Sequence, residues 1–175
     1  MKNQSLPIFI NALSKIWGPL TADLTKHSKQ LLETLAANCK DDDWVHTLLA
    51  NKTPNTIVYR SEEHGFILQA HVEQQGDYSV PHDHGNGWVL YATVTGAVEM
   101  GVFHQVIQPD GTLTAVQKDK YLQKSGQCHV YLPGDIHDTK ALQDGTLMFR
   151  LTSCDFEKEF KEGRLIRYIH NCDRW

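Results

Sequence analysis

The run Gly76–Gly96, GDYSVPHDHGNGWVLYATVTG, sets two histidines one residue apart between a proline and a glycine turn. Pro81 restricts Val80 to extended geometry, and alternate side chains of an extended strand share a face. His82 and His84 are therefore expected to point the same way, with Asp83 opposite. Two imidazoles so arranged can reach one metal ion at about 2.0–2.1 Å. Gly85 and Gly87 let the backbone turn sharply beside them. Alone, an H-x-H is a weak sign, because two exposed histidines on one strand face are common.

A second stretch adds a third histidine. GQCHVYLPGDIH, Gly126–His137, reads as a strand, a Pro133-Gly134 turn and His137. Around both stretches, from Thr56 on, the chain is a succession of short β-rich runs. Glycines and polar turns, such as PDG at 109–111, separate them at hairpin spacing. Strands are expected to continue through CHVYLP and TLMFRLTS.

Before Thr56 the period changes. Leu6, Phe9, Ile10, Leu13, Ile16 and Trp17 recur at helical steps up to Gly18-Pro19. Leu24, Leu31, Leu32 and Leu35 repeat the pattern, and DDDWVHTLLAN predicts a third, short helix with acidic residues at its N-terminus. Helices followed by many short strands predict one mainly β domain, a helical lid or brace on an antiparallel barrel or sandwich. Its parts are a helical section over 1–52, a barrel over 56–153 and an extension over 154–175. The pattern of the extension specifies little.

Composition bounds the partners. With 41% hydrophobic and 22% charged residues, the chain has the balance of a soluble globular protein. A net charge of −4 and the lack of a basic cluster argue against nucleic acid or an anionic membrane as the main partner. No apolar run approaches a membrane span, and the N-terminal stretch lacks a signal-peptide core. Cys39, Cys128, Cys154 and Cys172 are scattered with no C-x-x-C pair, so they are read as reduced thiols of a cytoplasmic protein. The remaining expectation is a monomer or homodimer acting on a small molecule.

The two histidine stretches together resemble the cupin superfamily. Gly76, His82, His84 and Gly96 match its first motif, and Gly126, Pro133, Gly134 and His137 its second. The resemblance implies a double-stranded β-helix (jelly-roll) barrel with a metal held by His82, His84 and His137. Many cupins add a glutamate after H-x-H; here those places hold Trp88 and Val89, leaving three histidines. A three-histidine cupin with a helical N-terminus is similar to the thiol dioxygenases, the cysteine dioxygenase and 3-mercaptopropionate dioxygenase group. That resemblance implies Fe(II) as cofactor, with Ni, Mn or Zn possible in purified protein. It further implies O2 as co-substrate and oxidation of a small thiol to its sulfinate.

By the same resemblance, Tyr59 and Arg60 in VYRS correspond to the tyrosine and carboxylate-pairing arginine of cysteine dioxygenase. The family's Ser-His-Tyr trio is not matched: the last strand carries Arg150 and Thr152 where its histidine and tyrosine would stand. Met148, Arg150 and Thr152 share one face of that strand, so Arg150 is either a structural ion-pair partner or a substrate anchor. The cysteine of the family's cysteine–tyrosine crosslink is also missing, since residues 85–92 contain none. Trp88 and Tyr91 are read as barrel packing, and His71, His104 and His129 as ordinary strand histidines. The competing functions are a carbon–carbon-cleaving cupin dioxygenase and a metal- or small-molecule-binding cupin without turnover.

Overall fold

The computed structural model describes residues 3–169 and 172–173. Three helices come first: α1 Ser5–Ile16, α2 Ala22–Asn38 and α3 Asp43–Asn51. The starts of α2 and α3 have local causes. At the start of α2, the Thr21 side chain accepts the Leu24 N–H, as a good N-cap does. The acidic run before α3 works differently from a simple dipole: Asp42 is the N-cap residue, yet its carboxylate accepts from the Asn3 N–H, the Ser5 hydroxyl and the Trp44 indole. It thereby ties the start of α3 to the start of α1.

The strands are β1 Thr56–Arg60, β2 Ile67–Glu73, β3 Tyr78–His82, β4 Val89–Thr95, β5 Ala97–Ile107, β6 Leu113–Lys124, β7 Cys128–Tyr131, β8 Ile136–Ala141 and β9 Thr146–Thr152. A short helix, α4 Phe156–Lys161, and a two-residue strand, β10 Cys172–Asp173, follow. One sheet runs β1-β2-β9-β4-β7 and the other β10-β6-β5-β8-β3. Pairings among β1–β9 are antiparallel. Stripped of its edge strands, each sheet is a four-stranded half of a jelly roll, β2-β9-β4-β7 and β6-β5-β8-β3. The predicted mainly β architecture with N-terminal helices is the one observed.

Even-numbered residues of β2 and β4 and odd-numbered ones of β9 face the helices. Leu68, Ala70, Leu90, Ala92, Leu147 and Phe149 form one core with Phe9, Leu13, Leu32 and Leu35. Trp17 stacks on Trp88, ring centroids 5.3 Å apart, and Trp44 on Phe149 at 5.5 Å. Each fully buried leucine in this layer contributes roughly 1.5–3 kcal/mol. The helices are thus a brace on the outside of the first sheet. The opposite faces of the same strands, with Val89, Tyr91 and Met148, point into the barrel against Val98, Met100 and Tyr131.

Candidate metal centre

His82 ends β3, His137 lies opposite it on β8 in register, and His84 follows in the connection to β4. The expected common strand face is therefore replaced by a strand end and a loop. β3 stops at His82, and the turn through Gly85, which has φ +59, brings the second imidazole round. The outcome for the rings is the same: centroids lie 5.2 Å (82–84), 4.7 Å (82–137) and 5.0 Å (84–137) apart. Asp83 turns away, as expected, and accepts the backbone N–H groups of Gly85 and Ile166.

The three rings offer ligand atoms within 4.8 Å of one another. His82 Nδ1 lies 2.8 Å from the Val80 carbonyl; a proton there leaves Nε2 as the lone-pair atom. The Nε2 atoms of His84 and His137 face each other at 3.2 Å. Two nitrogens bound to one ion at about 2.1 Å stand roughly 3.0–3.4 Å apart, so this separation, which also fits an N–H···N hydrogen bond, is compatible with two ligands of one metal. Burial is the main reason all three imidazoles stay neutral. It pushes His82 down to about 4, His84 down to about 2 and His137 well below the ordinary range, with repulsion from neighbouring histidines adding at the last two. Neutral imidazoles turned toward one point, two of them fully buried, could hold a metal ion between them. The donor set fits a divalent metal.

Aromatic rings close the site. Tyr131 stacks on His137 at 4.0 Å and Phe156 of α4 on His84 at 5.1 Å. His82 opens on a cavity of about 340 Å³ that Arg150, Tyr91, Gln69 and Met148 also line. Gln69, Arg150 and Tyr91 are register partners across β2, β9 and β4. Arg150 donates from Nε (2.8 Å) and Nη2 to the Gln69 carbonyl oxygen, and the Tyr91 hydroxyl meets the guanidinium from the other strand. No carboxylate among the described residues forms an ion pair with Arg150.

The other two residues singled out from sequence part company. Tyr59 packs against Phe66, centroids 5.8 Å apart, on the helix side of β1. Arg60 stands at the cavity rim, exposed, and pairs with Asp155 at 3.0 Å. Tyr91, expected as packing, is buried, but it also lines the cavity, 5.0 Å from the His137 ring. The row Gln69, His71 and Glu73 was not foreseen, though the polar alternation in ILQAHVE was its available sign. Cys39, Cys128 and Cys154 are free thiols; the reading of Cys172 falls outside the described side chains.

No family model matches the chain, and no curated protein does. Among solved structures it is similar to KdgF from a Halomonas species, at 18% identity over 56% of this chain and 76% of that one, with a TM-score of 0.45. It is also similar to the Cnp3 cupin domain of Schizosaccharomyces pombe (10%, 63% and 66%, TM-score 0.46). A third likeness is to a cupin superfamily protein from Desulfitobacterium hafniense DCB-2 (12%, 58% and 76%, TM-score 0.42). The chain has the cupin fold. That statement rests on its own strand order, with a three-histidine group where β3 meets β8. Among the described residues no helix is long and apolar enough to cross a membrane.

Proposed function

We propose that this chain is a non-haem Fe(II) dioxygenase that oxidises a small thiol with an acidic end to its sulfinate, RSH + O2 → RSO2⁻ + H⁺. The observation that carries the reading is the pairing of a carboxylate-free histidine set with an internal arginine that meets an amide instead of an acid. His82, His84 and His137 would hold the ion. Three neutral ligands leave both charges of a divalent metal to be balanced by what enters the cavity, which favours an anionic sulfur donor. When bound, ferrous iron supplies the redox chemistry that joins dioxygen to sulfur.

The chain's own groups do the rest. Arg150 already spends two N–H donors on one Gln69 oxygen, and its remaining donors suit a carboxylate or sulfonate of the substrate. Burial raises the Tyr91 hydroxyl above its ordinary range, so Tyr91 keeps its proton and can donate to an oxygen in the cavity. Phe156 and Tyr131, against the outer faces of His84 and His137, keep water from the ligand nitrogens. Arg60 has its own carboxylate in Asp155, which favours Arg150 as the anchor.

The test is oxygen uptake by iron-loaded protein with 3-mercaptopropionate, cysteine and cysteamine, with sulfinate identified by mass. Uptake with an acidic thiol and an added mass of two oxygen atoms supports the reading. Metal binding without thiol-dependent uptake would leave a binding protein. Uptake with an ortho-dihydroxy aromatic alone would move the activity to carbon–carbon cleavage.

A further inference from the structure

The cavity reaches well beyond Arg150. On β2 its lining continues from Gln69 to His71 and Glu73, three residues on one face at roughly 7 Å intervals. The His71 imidazole is hydrogen-bonded to the Pro54 carbonyl, and its Nε2 is enclosed without a partner. A ring that donates from Nδ1 presents a bare acceptor at Nε2. Beside it, Glu73 Oε2 is likewise enclosed without a partner, and no cation among the described residues pairs with that carboxyl group. Two residues with unpartnered acceptor atoms therefore line one end of a cavity whose middle holds a guanidinium.

A buried carboxylate without a counter-charge is costly. His71 cannot supply the charge, because burial and the nearby Arg150 push it down to about 3. Burial, aided by Asp77, correspondingly raises Glu73 to about 7. When Glu73 is ionised, no side chain among the described residues pairs with it, so a compensating cation would come from outside. We propose that His71 and Glu73 form a subsite for an ammonium group of a ligand whose acidic end meets Arg150, so that the cavity selects an elongated zwitterion. The two charges of that ligand are roughly 7–13 Å apart, the spacing of Gln69 from His71 and Glu73 along β2. A cavity of about 340 Å³ is within the range that takes such a molecule.

The inference rests on the proposed function only in taking this cavity as the ligand site. The probes are 6-aminohexanoate and 8-aminooctanoate, each against the plain alkanoate of the same chain length. Binding is measured by calorimetry on metal-loaded protein under argon, without thiol. At least one ω-amino acid should bind tenfold or more tightly than its alkanoate. Glu73→Gln should erase that preference while keeping alkanoate affinity, which also reports that the variant is folded. Equal affinity of both pairs in the unaltered protein overturns the subsite, as does a preference that survives Glu73→Gln. Protein that oxidises thiols yet ignores the ammonium refutes the subsite alone. Protein that prefers ω-amino acids yet oxidises no thiol refutes the dioxygenase reading alone.

Discussion

Glu159 of α4 accepts the backbone N–H of Asn86 at 3.0 Å, tying the C-terminal segment to the loop that carries His84. The same carboxylate takes two donors from Arg164, at 2.8 and 2.7 Å, and these contacts hold it down to about 2. Further along, the Ile166 N–H reaches Asp83, and the Tyr168 N–H reaches the Pro81 carbonyl. The histidine loop is thus clamped from both sides by residues that follow the barrel. Glu159→Ala should lower the melting temperature and weaken metal binding by about tenfold, the lower end of what losing an outer partner costs. Zinc titration with a competing chelator reads the affinity; unchanged affinity would make the clamp irrelevant to the site.

Purified protein should carry close to one divalent ion per chain, and His82→Ala or His137→Ala should lose most of it. Removing a ligand should exceed the ~10–100-fold loss typical of outer partners. Elemental analysis after dialysis is the check. Full occupancy in both variants would put the metal elsewhere.

Arg150→Met should raise KM sharply for mercapto acids and change it little for cysteamine in its uncharged form. Losing one charged hydrogen-bonding partner costs about 1.5–3 kcal/mol, ten- to a hundredfold in kcat/KM. The variant also strands Gln69, so metal content and melting temperature are measured first. Equal losses with acidic and neutral thiols would assign Arg150 to the barrel.

Acid should destabilise the metal-free protein early. His71 (about 3), His82 (about 4), His84 (about 2) and His137 have depressed values when folded, so below pH ~6.5 the unfolded chain binds more protons. Stability then falls with pH, by up to about 1.4 kcal/mol per pH unit for each histidine. Glu73, raised to about 7, opposes this by binding its proton in the folded state, but it offsets only one of the four. Thermal unfolding between pH 7.5 and 5 reads the net slope. A flat profile would mean that these rings are not held neutral.

All four thiols should react once the protein is unfolded without reductant, and no cysteine–tyrosine crosslink should be found by intact mass. Cys39 and Cys128 are buried, burial pushing Cys39 up to about 12 and Cys128 higher still. Both should therefore be inert to thiol reagents in the folded state. Fast labelling of either before unfolding would contradict this packing.

Local spacing by itself singled out the histidine stretches and the outer architecture. H-x-H beside Pro81, the Pro133-Gly134 turn before His137, and helical periodicity up to Gly18-Pro19 are patterns over a few residues, which is the range at which backbone geometry constrains side-chain direction. Tertiary structure alone decided the cavity. The run VLYATVT is buried along β4 down to Val94 because the helices cover one face and the barrel interior the other. With both faces dry, the two-residue alternation that tells inside from outside is lost, so nothing local showed that Tyr91 looks into the cavity. On β1 the alternation survives but does not say where each face leads: Tyr59 meets the helices and Arg60 the rim. By sequence Arg150 shares a strand face with Met148 and Thr152, but whether it met an acid or an amide depended on Gln69, 81 residues away. The clamp of Glu159 on Asn86 spans 73 residues. Such contacts are chosen by how two sheets close, and no short window of sequence contains them.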